Sequence, residues 1–167
     1  MARSVPPPSA AGTACLGAVG GAFAGAAALA VLLGGTAVLG RPPLEAANAV
    51  GAWPVRWLQT AAPSSLGQLF LDATLGGPLL AWLVAILAGA LVAVALDRLP
   101  EGEPLSWGVL IGLGLAALVR WVLAPALDPL LVRTVPTVVI LAAGGVFGAV
   151  MGGWLAAARR SRVPDSA

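Results

Sequence analysis

Residues 78–96 read PLLAWLVAILAGALVAVAL, an apolar run without one charged side chain. As a helix rising about 1.5 Å per residue, it reaches across a hydrocarbon core of about 30 Å. Three more apolar runs surround it, at 13–39, 105–123 (which carries Arg120) and 137–158. The expected fold is all-α, an integral membrane four-helix bundle. Composition agrees: 59% of the 167 residues are apolar and 10% are charged, against about 25% charged in a typical soluble domain. So little polar surface cannot coat a water-soluble globule.

Downstream, Asp97-Arg98-Leu99-Pro100-Glu101-Gly102-Glu103-Pro104 reads as a tight polar turn, which makes spans two and three antiparallel neighbours. Ala124-Pro125 and Asp128-Pro129 break the chain after span three, and Arg159, Arg160 and Arg162 open a basic tail at 159–167. Upstream, residues 1–12 are rich in proline and small polar residues and are expected to be disordered. Arg41-Pro42-Pro43 stops span one, since proline cannot continue the helical hydrogen-bond ladder.

Between spans one and two, residues 41–77 form the one long polar-apolar connection, read as an interfacial or reentrant cap. A helix at 44–60 is too polar, and too interrupted by Pro54, to cross a bilayer. Its Trp53 and Trp57 are four residues apart and suit the headgroup zone. A second short helix follows Pro63-Ser64-Ser65, and Gly76-Gly77 is expected to end it, with Pro78 in the first turn of span two.

Small residues recur at helical spacing. Gly17, Gly21 and Gly25 lie on one face of span one, Gly108 and Gly112 on span three, and Gly144, Gly148 and Gly152 on span four. Such small-xxx-small (glycine-zipper) faces let helix backbones approach closely in lipid.

Several functions are disfavoured by what the chain lacks. It has no histidine, so a membrane haem held by imidazole is not expected, and no cofactor or metal is assigned. Cys15 stands alone, which leaves neither an intrachain disulfide nor a cysteine cluster, and it reads as a small buried thiol. No phosphate loop or nucleophile–base constellation is present, and the net charge of +2 comes without a basic run suited to nucleic acid. The chain is therefore read as a non-enzyme.

One ionisable residue stands out. Arg120, in LVRWVLAPALD, falls within span three, where charge is costly. It reads either as a snorkelling anchor paired with Asp128 or Asp72, or as a contact to a partner subunit, an anionic lipid or a quinone carbonyl. Trp53, Arg56, Trp57 and Asp128 join it as candidate partner or lipid contacts. The Arg159-Arg160-Arg162 cluster places both termini in the cytoplasm of a bacterial inner membrane by the positive-inside rule, with the cap facing outward.

The order of a span, then Thr60-Ala61-Ala62-Pro63, then Leu69 to Gly76, then Gly77-Pro78-Leu79-Leu80 resembles a known pattern. It is similar to the membrane-embedded N-terminal region of bacterial molybdopterin-dependent oxidoreductases of the sulfite-oxidase type. Gly77 stands where that family has lysine. The resemblance covers about Gly25 to Leu96 and implies a membrane anchor whose soluble redox domain is fused or encoded separately.

The leading expectation is a non-catalytic membrane anchor or subunit that holds a partner membrane or peripheral protein through the cap. Self-association into an oligomeric transporter or channel is one alternative. A lipid- or quinone-binding membrane protein is another.

Overall fold

The computed structural model describes residues 10–44, 46–50, 66–97, 103–127 and 129–161, with the backbone alone for 66–74, 127, 129 and 130. In lipid each backbone N–H and C=O needs a partner within its own segment, so apolar runs become helices. These are α1 (Ala10–Val38), α2 (Leu66–Asp97), α3 (Pro104–Leu118), the short α4 (Pro129–Thr134) and α5 (Thr137–Arg160). After Leu118, α3 runs on through a π turn, Val119–Leu123, and a last α-turn, Ala124–Leu127. Among the described residues, four helices are long and apolar enough to cross a membrane: Ala10–Val38, Leu75–Asp97, Pro104–Ala126 and Thr137–Arg160. The fold is an all-α four-helix bundle.

The chain leaves α1 through a glycine rather than through the prolines that follow. Gly40 has φ 73°, its N–H donates to the Ala37 carbonyl at 2.9 Å, and the Arg41 N–H donates to the Thr36 carbonyl at 3.0 Å. This is the Schellman pattern, in which a left-handed residue satisfies the last orphan carbonyls. Buried Thr36 is satisfied by its own helix, donating to the Leu32 and Leu33 carbonyls. Residues 46–50 are helical again, and they turn back into the bundle.

Several boundaries differ from the sequence reading. The first helix begins at Ala10, so Ala10-Ala11-Gly12 belong to the span and not to a loose N-terminus. Gly76-Gly77 does not end a helix: α2 is continuous from Leu66 to Asp97 with Pro78 inside it. Breaking the helix there would strip partners from a whole turn of backbone, whereas proline removes a single N–H. Likewise Pro125 does not stop α3, which absorbs it with the π turn, and α5 carries Arg159 and Arg160 in its last turn. Cys15 is exposed on α1, not buried.

Spans two and three are not neighbours in the sense expected. α2 packs along α1, α3 packs along α5, and α1 packs on α5, while α2 and α3 touch only marginally. The lateral order is therefore α2–α1–α5–α3. α5 is the central helix, 44% buried over its most apolar stretch, whereas the span beginning at Pro104 is only 17% buried.

Backbone proximity explains this order. A side chain added at Gly21 would meet the Ala85 carbonyl oxygen at 2.6 Å, and one at Gly89 would meet the Gly17 carbonyl oxygen at 2.6 Å. Gly17 and Gly25 face Ala93 and Ala85 in the same seam. On the other side of the bundle, Gly108 and Gly112 meet Gly144, Gly148 and Gly152, and Gly152 lies against the Pro104 carbonyl. Nothing larger than glycine fits these crossings. Between the two seams lies a core of Ala24, Val92, Leu96, Phe147, Met151 and Leu155.

Two indoles tie the seams to α1. Trp82 Nε1 donates to the Ala22 carbonyl at 2.8 Å, and Trp154 Nε1 donates to the Leu16 carbonyl at 3.1 Å. The Trp154 ring also lies 5.6 Å from that of Phe23. Each half-buried indole thereby has its N–H satisfied within the bundle.

The glycines make opposite predictions at neighbouring positions. Gly112→Ala places a methyl against the α5 backbone and should destabilise the bundle by about 1–3 kcal/mol, the usual cost of overpacking. Gly114 has open space around it, so Gly114→Ala should be neutral or stabilising by up to ~1 kcal/mol through helix propensity. Thermal unfolding of both variants in one detergent tests the pair.

Candidate functional site at the Arg41 end

Both ends of the bundle are held by an arginine at a helix C-terminus, where the unsatisfied carbonyls carry negative partial charge. At one end Arg159 Nη2 donates to the Leu96 carbonyl, the last turn of α2, at 3.2 Å. Beside it a cavity of about 20 Å³ is lined by Thr13, Asp97 and Arg159 together with Leu16, Ala93, Leu155 and Ala158. Thr13 Oγ1 is buried there without a hydrogen-bond partner among the described residues.

The opposite end is richer. Gly40 turns the chain so that Arg41 reaches α4, and Arg41 Nη1 donates to the Arg133 carbonyl at 3.0 Å and the Thr134 carbonyl at 2.8 Å. The segment that follows is packed into the bundle: Ala46 is 1% and Ala49 0% exposed. Ala46 joins a cluster with Ala116, Val135, Val139 and Ile140. The start of the 41–77 connection is thus packed on α3, α5 and the α4–α5 connection.

Arg120 sits in the π turn. The Ala124 N–H donates to the Val119 carbonyl, one residue further back than in an α-helix. The next residue is Pro125, which has no N–H. The Arg120 carbonyl therefore lacks both its α-helical and its π-helical donor, which is the local consequence of Pro125. The half-buried Arg120 side chain turns toward α5, where its Nε donates to Thr137 Oγ1 at 2.8 Å. Thr137 is the first residue of α5. Arg120 thus bridges two spans about 9 Å inside the end of the apolar helix, six residues before Ala126.

An apolar groove of about 220 Å³ opens laterally between α2 and α3. Ala81, Val84, Ala85 and Ala88 form one wall, and Gly112, Leu115, Ala116 and Val119 form the other. α1 and α5 supply the floor through Ala28, Leu32, Ala143 and Phe147, and Ile140 and Gly144 complete it. The groove occupies the half of the bundle nearer Arg41. Arg120 is one turn beyond Ala116, and Thr137 one turn before Ile140, so the Arg120–Thr137 pair stands at the groove's end.

Of the residues singled out from sequence, Arg120 is placed at this site and the eight glycines lie in the helix crossings. Trp53, Arg56 and Trp57 lie outside the described residues, as do Asp128 and the side chain of Asp72, the two expected partners of Arg120. Sequence reading missed Arg41, Thr137, Gly89, Trp82 and Trp154. Gly89 had a readable signal: Ala85, Gly89 and Ala93 repeat the four-residue spacing with alanine in place of glycine.

Arg41→Ala should lower stability by about 1 kcal/mol, a typical value for a cation on helix-end carbonyls. Hydrogen exchange should quicken at residues 129–137 and stay unchanged in the α1–α2 seam. Unchanged exchange at 129–137 would show that the contact fixes nothing. Compared with known proteins, the chain matches no protein-family model, no curated protein and no solved structure.

Proposed function

We propose that this chain is a non-catalytic multi-pass membrane subunit that holds a partner protein at the Arg41 end of its bundle. The observation that carries the reading is the packed start of the 41–77 connection. Arg41 is pinned to α4 and Ala46, Ala47 and Ala49 are buried, so the segment bearing Trp53 and Trp57 leaves a rigid platform. A contact surface on a rigid base loses less conformational entropy on binding than one on a free loop. Paired aromatic residues beside Arg56 have the composition favoured at interface hot spots. In this reading both termini face the cytoplasm, the cap lies at the outer interface and the glycine seams keep the platform stiff. A redox partner is the version suggested by the resemblance of residues 25–96 to the molybdopterin-dependent oxidoreductases.

Native mass spectrometry of the protein extracted from its own host in mild detergent tests this. A second polypeptide in fixed stoichiometry is expected, and it should be lost from a Trp53→Ala/Trp57→Ala variant whose unfolding temperature is unchanged. A homo-oligomer with no second polypeptide would refute the proposal.

A further inference from the structure

Among the described residues, the flank between α2 and α3 is open to the side of the bundle. The groove of about 220 Å³ runs along the spans from Gly112 to Val119, parallel to a lipid acyl chain. Its walls are apolar throughout. At its end stands a guanidinium whose Nε is engaged by Thr137 and whose terminal amino groups have no partner among the described residues. A phosphate suits those amino groups, because the planar fork of arginine matches it bidentately.

Arg41, Arg120 and Arg133 gather around the α4–α5 connection. Asp97 and Glu103 belong to the opposite end, while the side chains of Glu45, Asp72 and Asp128 lie outside the described residues. The depth also fits: about 9 Å inside the helix end, an arginine side chain reaches outward to headgroup level while the groove continues toward the midplane.

We propose that this groove and Arg120 form a site for one anionic phospholipid, with an acyl chain between α2 and α3 and its phosphate on the Arg120 guanidinium. The site does not depend on the partner proposed above. Lipid in the groove would complete the bundle on its open side and hold α2 and α3 at their observed separation.

The test is native mass spectrometry of the purified protein in mild detergent with equimolar phosphatidylglycerol and phosphatidylcholine. One phosphatidylglycerol should be retained several-fold over phosphatidylcholine, because the choline cation neutralises the phosphate that both lipids share. Arg120→Ala should abolish the preference. Val84 is 55% exposed, so Val84→Trp can fill the groove without disturbing the helix crossings, and it should lower retention of either lipid several-fold. Equal retention by the wild type, or a preference that survives Arg120→Ala, would overturn the headgroup assignment. Undiminished retention in Val84→Trp would overturn the groove, and this variant decides even if Arg120→Ala fails to fold.

Discussion

The structure depends on two places where helix backbones touch with nothing between them. Lipid tails are as apolar as leucine, so the hydrophobic effect does little to pull spans together, and close packing must do it. Where Gly21 meets Gly89, and where Gly112 meets Gly148, a side chain would collide with main chain of the facing helix. Each seam joins two antiparallel spans into a stiff pair. The pairs then join through the α1–α5 contact, where side chains such as Met151, Phe147 and Trp154 fill the space. The small faces of α2 and α3 are both taken up within their own pairs. Neither has a flat surface left for the other, and the open flank follows.

Polar groups complete what packing begins. Arg41 and Arg159 close the C-terminal ends of α4 and α2, where carbonyls would otherwise face the membrane boundary alone. The indoles of Trp82 and Trp154 and the hydroxyl of Thr36 bond to backbone carbonyls within the spans. These groups are few, and each sits where a helix end or a crossing needs it. Arg120 differs, since its contact with Thr137 engages one of its five N–H groups and the π turn beside it strips its carbonyl of a helical donor. Among the described residues, that imbalance is what the proposed lipid phosphate would answer.

The spans were legible in the sequence because hydropathy is a local property and no run of comparable polarity interrupts them. The glycine faces of α1, α3 and α5 were legible for the same reason, as a four-residue period. Pairing was not. The polar turn at Asp97–Pro104 constrains α2 and α3 at one end only, so their small faces were free to choose other helices. Gly76-Gly77-Pro78 and Ala124-Pro125 read as breaks because glycine and proline penalise helices in water. In a span the loss of a whole turn of hydrogen bonds outweighs them, and the helix continues or takes a π turn instead. The site was half legible: Arg120 stood out as a charge in an apolar run, but its partner Thr137 is seventeen residues away and only the fold brings them together.

The central claim is the order α2–α1–α5–α3 with an open flank between α2 and α3, and cysteine cross-linking in native membranes tests it most directly. In a Cys15→Ala background, paired cysteines at Gly35 and Val139 should link readily, since those positions meet across the α1–α5 contact. Cysteines at Val84 and Leu115, on opposite walls of the groove, should not. Efficient linking of Val84→Cys to Leu115→Cys together with failure at the α1–α5 pair would mean a bundle closed in sequence order, and would contradict the account.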